Sequence, residues 1–161
     1  MPSKQQSIIL GGLIAGLLST SYLGLINLLC CAGVIIGALV SVWHYTDTNE
    51  LTIKAGQGAV IGLLAALIGW GVSFVLNFIL IKAGIRSDLV FSQFILDRFG
   101  DNMPQESVDE LVEQMNAEMT LAKYLAGAVW GLLFPVFGAI GGSIGALLFK
   151  KGGDEPTEFA D

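Results

Sequence analysis

Two adjacent cysteines, Cys30 and Cys31, and the single histidine, His44, are the groups in the apolar part of this chain best suited to metal or proton chemistry. A protein metal site needs spaced ligands. One pair of neighbouring thiols and one imidazole cannot supply such a set alone, so no metal site is expected and the thiols read as small buried apolar side chains. His44 stands between Trp43 and Tyr45, a trio that reads as an aromatic belt at a membrane interface. No Asp, Glu, Lys or Arg lies within the apolar heart of any long apolar run. Ion-coupled and proton-coupled transporters place such groups there at real energetic cost, so their absence argues against a pump. Asn27 remains, as does Asn77 with Ser73 four residues before it on the same helix face. Interhelical hydrogen bonds worth about 0.6–2 kcal/mol account for both. No nucleophile, base and orienting group converge, so no catalytic residue and no cofactor is expected.

The residues that recur with fixed spacing are glycines. Gly-x-x-x-Gly-Leu-Leu occurs three times, with Gly12 and Gly16, Gly58 and Gly62, and Gly127 and Gly131 as its glycine pairs. Two glycines four apart clear one helix face and let a neighbouring backbone approach, which is how helices associate in lipid. The second and third copies match closely over seven residues and no further, and Gly138, Gly141, Gly142 and Gly145 add more small residues. Close helix packing, within the chain or in a homo-oligomer, therefore explains the motif better than a duplicated transporter unit.

Four apolar runs must carry these glycines. The chain has 161 residues, 53% hydrophobic and 14% charged, with 21 glycines and a net charge of −6. This composition lies on the membrane side of the usual soluble range. The fold class expected is all-α, a polytopic membrane protein in one domain, with spans at about 7–21, 28–45, 57–81 and 121–149. Lys4 precedes the first run but no A-x-A-like cleavage site follows it, so the run reads as a retained helix and not a signal peptide. Residues 7–45 would make about 58 Å of helix, enough for two short crossings joined by a tight turn, or for one crossing and a re-entrant piece. The third run, residues 57–81, is free of charge. Pro135 is expected to kink the fourth.

Between the third and fourth spans, residues 85–120 read as an extramembrane helical segment, and residues 152–161 as a disordered acidic tail. Ser87 or Asp88 is expected to cap a short interfacial helix with Phe91, Phe94 and Ile95 on one side, ended by Gly100. Ser107 and Glu110 form a capping-box pattern opening a second helix. No breaker intervenes before Pro135, so that helix is expected to continue into the fourth span. Its apolar stripe, Val108, Leu111, Val112 and Met115, is expected to contact protein, either its own bundle or a docking partner. Asp109, Glu110, Glu113 and Glu118 take the other side.

With four spans both termini share a side. Lys4, Lys54, Lys150 and Lys151 then face Lys82, Arg86, Arg98 and Lys123 across the membrane, an even count. The Lys150-Lys151 pair abutting a span favours cytoplasmic termini, with the acidic segment opposite. The eight Lys and Arg form no stripe, so nucleic acid is not an expected partner.

The glycine-rich hairpin, the stretch Leu51-Thr-Ile-Lys-Ala-Gly-Gln-Gly-Ala-Val-Ile-Gly-Leu-Leu, the acidic Met-containing helix and the closing Gly-Gly-Ser-Ile-Gly-Ala-Leu-Leu-Phe-Lys-Lys together resemble a family of uncharacterised bacterial inner-membrane proteins with a domain of unknown function. The resemblance spans most of the chain and implies four helices in the bacterial cytoplasmic membrane, with no assigned activity. The Cys30-Cys31 pair departs from it, as does the lack of a proline just before the acidic segment. The expectation is a non-enzymatic structural or accessory subunit whose partners are the bilayer and other membrane subunits or copies of itself. A small oligomeric transporter or channel is the alternative.

Overall fold

The computed structural model describes residues 4–20, 31–85, 89–117 and 120–151. These residues are all-α, with no strand among them. The helices are α1 (Lys4–Leu18), α2 (Ala32–Asn49), α3 (Ala55–Lys82), α4 (Val90–Phe99), α5 (Gln105–Asn116), α6 (Leu121–Trp130) and α7 (Phe134–Leu148). Since α6, a 3-10 turn at Gly131–Leu133 and α7 follow without a gap, they form one column. Asn27, Cys30, the expected caps at Ser87 and Asp88, Glu118 and the tail 152–161 lie outside the described residues.

Two helices are long and apolar enough to cross a membrane, α3 and the Leu121–Leu148 column, each 28 residues. Only 33% and 28% of their most apolar stretches are buried. The first two expected runs fall on α1, of 15 residues, and α2, of 18 residues, neither of which is both long and apolar enough to count with them. Relative to the expected 28–45, α2 is displaced toward its C-terminus. It ends where Glu50 takes a left-handed conformation with φ 51° and the Leu51 N–H closes on the Thr46 carbonyl at 3.0 Å, a helix stop of the kind glycine usually supplies.

The contacts of the glycines set the register of a four-helix bundle. Gly12 lies opposite Ile68 and Gly16 opposite Val72, so α1 and α3 run parallel. Gly58 meets Gly142 and Ala146 while Gly62 meets Gly138, so α3 and α7 run antiparallel. Around the bundle the order is α1, α2, α7, α3, and α2 also touches α3 across the diagonal. Small residues fill the inside. Every buried residue of α7 is a glycine or an alanine, Gly138, Gly141, Gly142, Gly145 and Ala146. Large aliphatic side chains point outward, Leu17 at 53% exposure and Leu147 at 62%. A compact cluster of Ile8, Val42, Tyr45, Ile53 and Ile61 closes one end.

Three local expectations are corrected. The acidic helix starts at Gln105, not Ser107, because Pro104 supplies the pre-set extended backbone (φ −56°, ψ 140°) and its carbonyl accepts the Ser107 and Val108 N–H groups. It also stops short of the fourth run. Ala117 is extended at φ −67° and ψ 137°, and a new start follows in which Thr120 Oγ1 accepts the Lys123 N–H at 3.3 Å. The break expected at Pro135 falls one turn earlier, at Gly131–Leu133, with Pro135 in the first turn of α7. Proline has no N–H for the carbonyl four residues back and its ring crowds that carbonyl, so the distortion precedes it.

Candidate functional site

Two of the three glycine motifs form a seam of close backbone contact. A Cβ at Gly12 would sit 2.7 Å from the Ile68 Cβ, and one at Gly16 2.7 Å from the Val72 Cβ. A Cβ at Gly58 would sit 2.7 Å from that of Ala146, and one at Gly62 2.8 Å from the Gly142 Cα. No side chain fits at any of these four positions without moving a neighbour. Gly11 and Gly37 do the same between α1 and α2: a Cβ at Gly37 would sit 2.5 Å from that of Ala15. This last contact lies outside the heptad, and its signals in the sequence are the Gly11-Gly12 doublet and the pair Gly33 and Gly37, four residues apart.

The third motif is built differently. Among the described residues nothing lies within 4 Å of a Cβ placed at Gly127, and Gly131 faces the Trp70 indole instead of a helix backbone. The close helix contact expected at Gly127 is therefore not made among the described residues. α1 ends at the level of Ser73, whose Oγ donates to the Ser19 carbonyl at 3.1 Å. The stretch of α3 beyond that point faces α6 through rings. Tyr124 stacks on Phe74 at 4.9 Å and on Phe78 at 5.6 Å, and its hydroxyl donates to the Phe74 carbonyl. Rings of this size hold the two backbones apart.

The separation leaves a cavity of about 300 Å³. Its apolar walls are Trp70, Phe74, Tyr124 and Phe134, Gly127 and Gly131 lie on the α6 side, and Ser73 and Asn77 complete it. Asn77 Nδ2 donates to the Ser73 carbonyl at 2.9 Å and to its hydroxyl at 3.1 Å. Both of these Asn77 bonds stay within α3, and it is Ser73, through the Ser19 carbonyl, that makes the link to α1.

A second polar cluster sits at the opposite end. Ser41 Oγ donates to the Ser7 carbonyl at 2.8 Å, and Ser7 Oγ lies 2.8 Å from His44 Nδ1. The expected belt is divided, since Trp43 is exposed, Tyr45 is buried in the core and His44 turns to Ser7. Cys31 takes the left-handed N-cap position of α2 with φ 58°. Lys151 Nζ bridges to the Asp47 carboxylate at 2.9 Å. That hydrogen bond and the Asp47 charge hold the Lys151 ammonium above its ordinary value. Among the described residues, no buried side-chain nitrogen or oxygen lacks a hydrogen-bond partner, and no three His, Cys, Asp or Glu could together hold a metal ion.

The stripe on α5 is only partly covered. Val108, Leu111 and Met115 are half-buried, Val112 is exposed, and no residue of α5 is fully buried. Its main packing neighbour is α4. Between α5 and α6 a cleft of about 600 Å³ is bordered by Glu110, Glu113, Gln114, Ala117 and Lys123. No family model, no curated protein and no solved structure matches this chain.

Proposed function

We propose that this chain is a non-enzymatic, four-span protein of the bacterial cytoplasmic membrane that serves as a structural or accessory subunit of a membrane protein complex. The observation that carries this reading is the inverted distribution of side-chain size, with glycine and alanine inside α7 and leucine and isoleucine outside it. In water the hydrophobic effect drives large aliphatic side chains inward. In lipid that drive between helices vanishes, and close packing at small residues takes over.

Lengths are compatible with this reading. At 28 residues each, α3 and the α6–α7 column are about 42 Å long, enough to span with tilt. α1 and α2, about 22 and 27 Å, cross with local thinning of the bilayer. Lys4, Lys54, Lys150 and Lys151 share the bundle end at which α1 and α3 begin and α7 ends. The positive-inside tendency assigns that end to the cytoplasm and the α4–α5 pair to the other side.

The subunit role is supported by the α5 stripe, whose Val112 is exposed and whose Val108, Leu111 and Met115 are only half-buried. Two measurements test the proposal. Alkaline carbonate should leave the protein in the membrane pellet while detergent releases it, and native electrophoresis of the mild-detergent extract should give a band that is not an integral multiple of the chain. Release by carbonate removes the membrane reading; a ladder of homo-oligomers removes the subunit reading.

A further inference from the structure

We infer that the cavity between α3 and α6 takes a hydrocarbon chain from the surrounding bilayer, and that Gly127 is the residue whose missing side chain keeps it open. The inference rests on the membrane reading above and adds a ligand class and a site to it.

The wall chemistry selects the occupant. Four aromatic side chains, Trp70, Phe74, Tyr124 and Phe134, face the space, and no charged residue lines it among the described residues. Its polar groups are engaged within the protein: Tyr124 donates to the Phe74 carbonyl, Ser73 to the Ser19 carbonyl, and Asn77 to Ser73. A water held there needs two to four polar partners, and donors already bonded within the protein hold it poorly. Left empty, about 300 Å³ forfeits the dispersion contacts its lining could make. The same two helices carry Val75, Leu125 and Val129 at 55%, 49% and 62% exposure. In the proposed setting those residues face acyl chains, which are the abundant apolar molecules at that depth.

Gly127 then has a role unlike that of Gly58 or Gly62. Among the described residues a Cβ there would meet nothing within 4 Å, so backbone approach does not require glycine, whereas a long side chain at this position on the cavity wall would occupy the space.

The test uses the full chain in vesicles of phosphatidylcholine with brominated acyl chains, which quench tryptophan fluorescence on contact. Trp70 is made the only tryptophan by W43F and W130F, and its quenching is compared in that parent, in G127A and in G127L. We expect strong quenching in the parent, a partial loss in G127A and loss of most of it in G127L. A second reporter, L64W combined with W70F in the same background, puts a tryptophan at an outward position of α3 and should be quenched whatever stands at residue 127. Equal quenching of Trp70 in all three proteins overturns the inference. So does a shielded Trp70 beside a quenched L64W reporter, which assigns the cavity to a second copy or to nothing and leaves the membrane reading intact. If L64W is unquenched as well, the membrane reading itself has failed. G127A keeps the test decisive should G127L not fold, because alanine is a better helix residue than glycine.

Discussion

Gly62 and Gly142 face each other so closely that a Cβ on Gly62 would fall 2.8 Å from the Gly142 Cα, and one on Gly142 3.0 Å from the Gly62 Cα. The contact is reciprocal and involves backbone on both sides, so rotamer changes cannot relieve a substitution there. Gly62→Leu should therefore separate α3 from α7 and cost at least the ~1–3 kcal/mol typical of overpacking. Thermal unfolding in detergent checks this. A melting temperature equal to that of the parent would remove the seam as a stabilising element, and G127A, with open space around it, is the matched control.

Ser73 joins two helices, bonding to Ser19 at the end of α1 and accepting from Asn77 one turn along its own α3. Ser73→Ala should cost about 0.6–2 kcal/mol, the range for interhelical hydrogen bonds in membranes, while Asn77→Leu should cost less because the link between helices survives. Reversed ranking in a denaturation series would show that the amide and not the hydroxyl joins the helices.

Lys151 offers a pH signature. Its ammonium is raised above its ordinary value of 10.5, first by the hydrogen bond to Asp47. A raised folded-state value means that this contribution is fully present below the unfolded value and is lost as pH rises through the folded one. Lys151→Gln should therefore lower stability slightly at neutral pH, and the difference from the parent should vanish as pH rises through the raised folded-state value. Because the pair is exposed, added salt should shrink the difference as well. An effect that persists at high pH in high salt would contradict the ion-pair account.

Topology is testable at Gln105, the exposed first residue of α5. In a background lacking Cys30 and Cys31, Gln105→Cys should react with an impermeant maleimide added to intact cells. Reaction only after the membrane is opened would invert the orientation.

The stripe on α5 separates folding from docking. Leu111 and Met115 are half-buried and the packing partner of their helix is α4, so changing both to Ser should leave the melting of the four-helix bundle within about 0.5 kcal/mol, as for surface substitutions. The native band of the mild-detergent extract should nonetheless shrink. Intact assembly with intact stability would leave the stripe without a part in partner binding.

Much of the architecture is legible in residue order alone. The uncharged run from Gln57 to Ile81 can satisfy its backbone only as helix, and α3 covers it. Spacing alone also makes Gly12, Gly16, Gly58 and Gly62 sites of close approach, because four residues return a helix to the same face. Helix ends were less legible, since several signals compete within a few residues. Pro104 starts α5 ahead of the Ser107 pattern, and Thr120 caps a helix that periodicity alone would have joined to the one before. Tertiary structure alone decided the roles of the two nearly identical heptads. Gly58 and Gly62 meet the backbone of α7, whereas Gly131 carries the Trp70 ring and Gly127 borders a cavity. A motif specifies a bare helix face, and what comes to rest on that face depends on register and on the size of the side chains opposite.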